Sequence, residues 1–225
     1  MSRFSAVVVA AGRSRRMGME DRKVFLEIAG RPVVVHALLA LANHPSIHEL
    51  IVVVAEQDIG RTESLLAQHD ITGIVVPGGD TRRDSVQSGL RTAEGDLVLI
   101  HDGARPFPSS DLIDRVIEGT LVHGACVPVL PTFDTLRTVT NGFLEAETID
   151  RTRVFGMQTP QGFRTEEIRS AIETSPSSIP DDADALLRQG VQVHTVLGER
   201  GNLKVTVPED LPLAEAILAA QAKGI

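Results

Sequence analysis

Residues 12–23 carry five basic side chains, Arg13, Arg15, Arg16, Arg22 and Lys23, against two acids, Glu20 and Asp21. That is a local +3 in a chain whose net charge is −8. So many cations on one short stretch suit the neutralisation of a polyanion. Just ahead of them, Val7-Val8-Val9 reads as a buried parallel strand, and Ala10-Ala11-Gly12 lets the backbone turn tightly at its carboxyl end. Ligands of open α/β sheets bind at that end. Small residues there admit a ligand to the main-chain N–H groups, and the cations neutralise it, so the expected occupant is a polyphosphate. The segment is not a P-loop, because no G-x-x-x-x-G-K-[ST] occurs in the chain. Nor is it a dinucleotide fingerprint, since Ser14 takes the second glycine position of G-x-G-x-x-G.

Further polar clusters follow other predicted strands. His101-Asp102-Gly103-Ala104-Arg105-Pro106 comes directly after the apolar run 97–100 and points into the same crevice. Asp102 suits a hydroxyl or a metal and Arg105 a phosphate, unless the two pair to pin their own loop. His101 is read as a satisfied strand-end histidine without a role. Gly78-Gly79-Asp80-Thr81-Arg82-Arg83-Asp84-Ser85 opens a helix. Asp80 or Thr81 is the expected N-cap there, the glycines allow close backbone approach, and Ser85 offers a hydroxyl to a base or ribose. Lys204 lies in Asn202-Leu203-Lys204-Val205-Thr206, read as a short strand, where a lysine needs an anion or an acid to reach. Asp181-Asp182 resembles a metal pair, but beside Pro180 at a helix start it reads as a cap.

These clusters need elements to position them. Strand-like runs at 6–10, 50–55, 73–76, 97–101 and 125–130 alternate with helical patterns. The helices begin at Pro32 and after Thr81, and extend over 110–123 and 209–223. Such alternation predicts βαβ units and a parallel sheet. At 225 residues the chain is expected to form one domain and to bury roughly 70–75% of its unfolded surface. Its single Cys126 has no intramolecular partner and reads as a buried strand thiol, which suits a reducing compartment. With no apolar run of transmembrane length and no leader-like start, a cytoplasmic location is expected. Thirty acids against twenty-two bases, seven Phe and neither Trp nor Tyr argue against nucleic-acid or anionic-membrane partners. The ligand is expected to be small.

Residues 132–155 break the pattern, and 134–149 within them read as an inserted β-arm. Asp134 to Val139, then Asn141-Gly142, then Phe143 to Thr148 predicts a β-hairpin, since both positions of an Asn-Gly turn take positive φ. A lone ribbon is marginal in water, so it should pack either on its own domain or, as a dimerisation arm, on a second copy.

The Gly-rich turn, Arg16-Met17 and downstream Lys23 resemble the sugar-nucleotide type of nucleotidyltransferase. The ordered set is more specific. Ala10-Ala11-Gly12, Gly78-Gly79-Asp80, His101 to Pro106, Asp134-Thr135, Asp150-Arg151, Gln158 to Gln161 and Lys204-Val205-Thr206 resemble the 2-C-methyl-D-erythritol 4-phosphate cytidylyltransferase family over essentially the whole chain. The resemblance implies one doubly wound, Rossmann-like α/β domain with a mostly parallel sheet and a protruding arm. It implies cytidylyl transfer from CTP to the polyol phosphate, with Mg²⁺ held mainly through substrate phosphates and no protein metal ligands, in a homodimer. It implies catalytic Arg16, Lys23 and Lys204, and nucleotide binding by Ala10, Ala11, Gly12, Gly78, Asp80 and Ser85. Substrate binding falls to Asp102, Arg105, Thr159 and, from the partner subunit, Thr135 and Arg151. The family usually has Pro-Lys where this chain has Arg22-Lys23, and Thr-Asp where it has Pro180-Asp181. Because a phosphate monoester is already ionised near neutral pH, transfer needs alignment and charge neutralisation rather than a covalent nucleophile. The competing readings are another polyol phosphate, such as ribitol 5-phosphate, as acceptor; a non-catalytic nucleotide-binding module; and a dehydrogenase, which the missing glycine fingerprint disfavours.

Overall fold

The computed structural model describes residues 3–12 and 22–223; Arg13, Arg15, Arg16, Glu20 and Asp21 lie outside them. In chain order the elements are β1 (Phe4–Val9), β2 (Glu27–Ile28), β3 (Arg31–Pro32), α1 (Val33–Ala42), β4 (Ile47–Val54), α2 (Ile59–Gln68) and β5 (Ile74–Pro77). There follow α3 (Arg82–Thr92), β6 (Leu97–Asp102), α4 (Ser110–His123), β7 (Ala125–Pro131), β8 (Arg137–Thr140) and β9 (Phe143–Thr148). The chain continues through β10 (Phe155–Met157), β11 (Gln161–Arg164), α5 (Thr165–Thr174), α6 (Ala183–Leu187), β12 (His194–Leu197) and α7 (Asp210–Gln221).

An 8-stranded sheet runs β7-β11-β6-β1-β4-β5, with β10 and β12 also bonded to β7. Only β10 and β11 oppose the common direction. Side chains alternate between its faces with period two, which splits the core. Phe4, Ala6 and Val8 of β1, with Leu50, Val52 and Val54 of β4, meet Val34, Leu38 and Leu41 of α1 and Ile113 and Val116 of α4. Val7, Ile51, Val53, Val98 and Ile100 face the other way, onto Val86 and Leu90 of α3 and Ile168 and Ile172 of α5. Helices on both faces are why the central strands read as continuous apolar runs. Each fully buried Val or Ile contributes about 1.5–3 kcal/mol.

Two expectations need correction. Pro32 is the residue before α1, in an extended conformation and paired with Glu27, rather than the first helical residue. Residues 203–206 form an extended loop, not a strand. A backbone bond from Val205 N–H to Ala104 O (2.8 Å) ties this loop to the sheet region. What holds it is α7, whose Ala214 packs with the buried Val205, Phe107 and Ile28.

The ribbon β8–β9 protrudes as expected, with Asn141 at φ 53° and Gly142 at φ 84° making the turn. Every residue of both strands is exposed. No helix among the described residues is long and apolar enough to cross a membrane.

Candidate active site

The order of the central strands places a switch point between β1 and β6, because the chain leaves β1 for β4 and β5 and then returns to its other side. Three backbone bonds carry the sheet past its strand ends at that point. Ala10 N–H donates to Val53 O, Gly78 N–H to Val54 O and Gly103 N–H to Val9 O. Beyond them lies a pocket of about 190 Å³. Ala10, Ala11 and Gly12 form one wall, Gly79, Asp80 and Ser85 a second, and Lys23, Arg82, Asp102 and Lys204 supply its charged groups. A second cavity beside it is lined by Ala11, Arg22, Glu56, Gly78 and Asp80.

The first loop is tied down by Arg22. Its Nη1 donates to Ala11 O (2.8 Å) and Gly12 O (3.1 Å), while Nε pairs with Asp58 at 2.6 Å. The charge introduced at this position therefore clamps the turn that precedes Lys23.

The second wall is built by the start of α3. Thr81 caps the helix by accepting from Asp84 N–H, and Asp84 accepts from Thr81 N–H in return. Such a reciprocal cap contributes about 1 kcal/mol. Ser85 is 2% exposed, and its Oγ accepts from Gly79 N–H and donates to Thr81 O. The hydroxyl expected to meet a base or ribose thus holds the glycine turn.

Charge is concentrated at the end of β6. Lys204 Nζ donates to Asp102 Oδ2 at 2.6 Å, and Arg82 reaches Asp102 Oδ1 through Nε and Nη2, each at 3.2 Å. Arg82 also forks onto Asp182, with Nη1 and Nη2 at 2.7 and 2.8 Å from its two oxygens. Burial alone would raise the Asp102 pKa, but Arg82 and then Lys204 override it and hold the carboxyl well below the usual carboxylate range. Burial likewise disfavours the Arg82 cation, yet Asp182 and Asp102 raise its pKa far above the ordinary value. Asp102 and Arg82 therefore both stay charged at neutral pH.

Behind Asp102 stands a neutral relay. Its backbone N–H donates to Thr159 Oγ1 (3.0 Å), the Thr159 hydroxyl donates to His101 Nδ1 (3.1 Å), and His101 Nε2–H donates to Arg105 O (2.9 Å). Burial pushes His101 down to about 4, and it is the neutral ring that this hydrogen-bond pattern requires. Arg105 does not pair with Asp102. It donates to Asn202 O (2.8 Å) and Met157 O (3.3 Å), linking the loop that bears Lys204 to the strand β10.

Of the expected residues, Ala10, Ala11, Gly12, Lys23, Asp80, Ser85, Asp102 and Lys204 meet at the pocket, with Gly78 in the adjoining cavity. Arg105 and Thr159 back the site without lining it. Thr135 and Arg151 are exposed at the foot of the ribbon, away from the pocket, and Arg151 donates to Phe133 O. Arg16 lies outside the described residues. Asp181 does cap, accepting from Asp184 N–H, whereas Asp182 is fully buried and holds Arg82 instead. Cys126 is a buried thiol pushed up to about 11 by burial. Arg82 and Asp182 were not anticipated as site residues. The available signal was two arginines in the first turn of a helix, where the macrodipole disfavours cations unless carboxylates hold them. Among the described residues no three His, Cys, Asp or Glu gather to hold a metal ion.

The sequence and fold have known counterparts. A family model described as 2-C-methyl-D-erythritol 4-phosphate cytidylyltransferase matches residues 4–220. A protein of that name from Bacillus licheniformis is 37% identical over 227 residues, covering 98% of each chain. A solved 4-diphosphocytidyl-2C-methyl-D-erythritol synthase from Anaerococcus prevotii superposes with a TM-score of 0.85 at 29% identity, over 97% of this chain and 96% of that one. The solved 2-C-methyl-D-erythritol 4-phosphate cytidylyltransferase of Thermus thermophilus gives a TM-score of 0.79 at 33% identity, over 95% and 98%.

Proposed function

The chain belongs to the 2-C-methyl-D-erythritol 4-phosphate cytidylyltransferase family, and from that premise we propose how its residues divide the work of the reaction. The enzyme transfers a cytidylyl group from CTP to 2-C-methyl-D-erythritol 4-phosphate, a step of non-mevalonate isoprenoid precursor synthesis. A phosphate oxygen of the acceptor attacks the α-phosphorus of CTP. One P–O bond forms there as the bond to the bridging oxygen of the β-phosphate breaks, and pyrophosphate leaves with the electron pair. Neither partner needs a proton removed, so the task is to align two polyanions and absorb their charge.

In our reading the convergence of Lys23, Lys204 and Asp102 on one pocket carries the assignment. Ala10, Ala11 and Gly12 offer small-residue backbone to the triphosphate. Lys23 and Arg16 neutralise charge that grows toward the leaving group. Gly78, Asp80 and the turn held by Ser85 receive the cytidine. Lys204 and Asp102 take the acceptor, with Arg105 and Thr159 keeping their loops in place. Mg²⁺ enters as part of the substrate, bound to the triphosphate, which is how this ion is commonly presented. The buried Cys126 thiol suits a cytoplasmic setting.

We further read the ribbon as the arm of a two-fold dimer. Val139, Phe143 and Leu144 are 60%, 77% and 73% exposed, an apolar surface that one copy leaves in water and a second could cover. Thr135 and Arg151 would then serve the partner's acceptor site. Subunit mixing tests both claims together. An Arg151→Ala subunit exchanged with a Lys23→Ala subunit should regain activity above either parent, since one of the two sites becomes intact. No recovery, with exchange verified by native mass spectrometry, would leave Arg151 serving its own subunit.

A further inference from the structure

Asp182 is fully buried at the start of α6, and the transfer described above makes no use of it. A carboxylate in that position is costly to desolvate unless a cation of matching geometry receives it. Arg82 does so with a planar fork, both Nη atoms facing the two carboxylate oxygens. Replacing a buried ion pair by apolar groups is often neutral or stabilising, so stability gives little reason for such a pair to sit at a reaction pocket. Its other contacts give one. The guanidinium presents its outer end to Asp182 and its Nε–Nη2 edge to Oδ1 of Asp102. With Oδ1 held, Asp102 offers Oδ2 to Lys204, whose ammonium spends one of its three donors there. Four charges thus alternate in sign from the core to the pocket wall. A rigid fork passes orientation along such a string, because turning one plane would break bonds at both ends.

We propose that Asp182 and Arg82 are positioning residues for the acceptor end of the site. Asp182 fixes the guanidinium of Arg82, Arg82 fixes the carboxylate of Asp102, and Asp102 presents Lys204 to the phosphate of the incoming acceptor. The inference rests on Lys204 being an acceptor-side group. Without the Asp182 charge, Arg82 is left to Asp102 alone and draws that carboxylate away from Lys204. The nucleotide wall around Ala11 and Lys23 lies outside this string.

Asp182→Asn tests the idea at nearly constant volume, removing the charge and one of the two matched bonds. Steady-state kinetics should show kcat/KM for the acceptor falling roughly 10- to 100-fold, the scale of a small misplacement at a reacting group. The loss should appear mainly as a raised KM for the acceptor, with KM for CTP within about twofold of wild type. If Asp182 acts through Lys204, adding Asp182→Asn to Lys204→Ala should cost nothing further, whereas a general structural role makes the two losses multiply. Multiplied losses, unchanged acceptor kinetics in Asp182→Asn, or equal rises in both KM values would overturn the proposal. Wild-type acceptor kinetics in Lys204→Ala alone would refute the reading of Lys204 and take the inference with it. An impaired Lys204→Ala beside an unaffected Asp182→Asn overturns the inference only. Should Asp182→Asn fail to fold, the double variant Arg82→Met/Asp182→Leu, which leaves no lone buried charge, carries the same kinetic comparison.

Discussion

Gly78 stands where the two walls of the pocket proposed to take the nucleotide touch, and an added methyl there should separate them. A Cβ on Gly78 would lie 2.6 Å from the Ala11 Cβ and 2.8 Å from Ser85 Oγ. Carbon atoms rest at about 3.5–4.0 Å, so Gly78→Ala must move the loops apart by roughly 1 Å. The φ of Gly78 is not left-handed, which leaves contact as the source of the effect. Overpacking of this kind costs about 1–3 kcal/mol. In a chain of this length each kcal/mol lowers Tm by roughly 2–4 °C. The kinetic effect is larger in proportion, since displacing positioned groups by about 1 Å can cost on the order of 100-fold. Pyrophosphate release at varied CTP should therefore show kcat/KM reduced roughly 10- to 100-fold. Ala11→Gly in the same background removes one of the two contacts and should restore part of the loss. Gly60→Ala serves as the control, because its Cβ meets nothing within 4 Å. Wild-type kcat and KM for CTP in Gly78→Ala, together with a lowered Tm, would refute the claim that these two loops shape the nucleotide site.

The clamp on the first loop predicts that Arg22→Ala and Asp58→Ala each lower kcat/KM for CTP, and that the double variant is no worse than either. Coupling of roughly 0.5–3 kcal/mol is expected for partners in contact, and simple additivity would contradict the clamp. Burial lowers the His101 pKa to about 4, against the opposing hydrogen bond to Arg105 O, so between pH 4 and 6.5 the unfolded chain binds the extra proton. Stability should rise with pH across that window, be complete above 6.5 and be lost toward 4, by on the order of 3 kcal/mol. Urea unfolding at several pH values checks this, and an unchanged slope in His101→Gln would contradict it. Calorimetry should detect negligible Mg²⁺ binding by the nucleotide-free enzyme and clear binding once CTP is present; a tight site in the nucleotide-free protein would count against substrate-borne metal.

How far the sequence discloses this site depends on whether each feature is local. The central runs of β1, β4 and β6 are legible because both of their faces are buried, which makes Ala6–Val8, Leu50–Val54 and Leu97–Ile100 continuously apolar. Asn141-Gly142 is legible because only certain residues take two successive positive φ values. Helix α4 is legible from its period, with Leu112, Ile113, Val116 and Ile117 all buried on one face. Lys204 stands out as a lysine needing an acid, but its apolar neighbours do not make a strand, since Val205 is buried by packing against α7 rather than by sheet pairing. The bond between Arg82 and Asp182 joins residues a hundred positions apart, and no local pattern encodes it. Ser85 is a different case: its hydroxyl bonds within its own turn, to Gly79 N–H and Thr81 O, a geometry that residue type alone does not reveal.

The central claim is transfer of cytidylyl from CTP to 2-C-methyl-D-erythritol 4-phosphate, and turnover of competing acceptors tests it most directly. The purified enzyme would be supplied with CTP, Mg²⁺ and either that compound or ribitol 5-phosphate, with pyrophosphate release followed and the coupled product identified by mass. The account predicts efficient, stoichiometric formation of 4-diphosphocytidyl-2-C-methyl-D-erythritol, at a kcat/KM far above that for the ribitol ester. Equal or better turnover of ribitol 5-phosphate, or pyrophosphate release without a cytidylylated product, would contradict it.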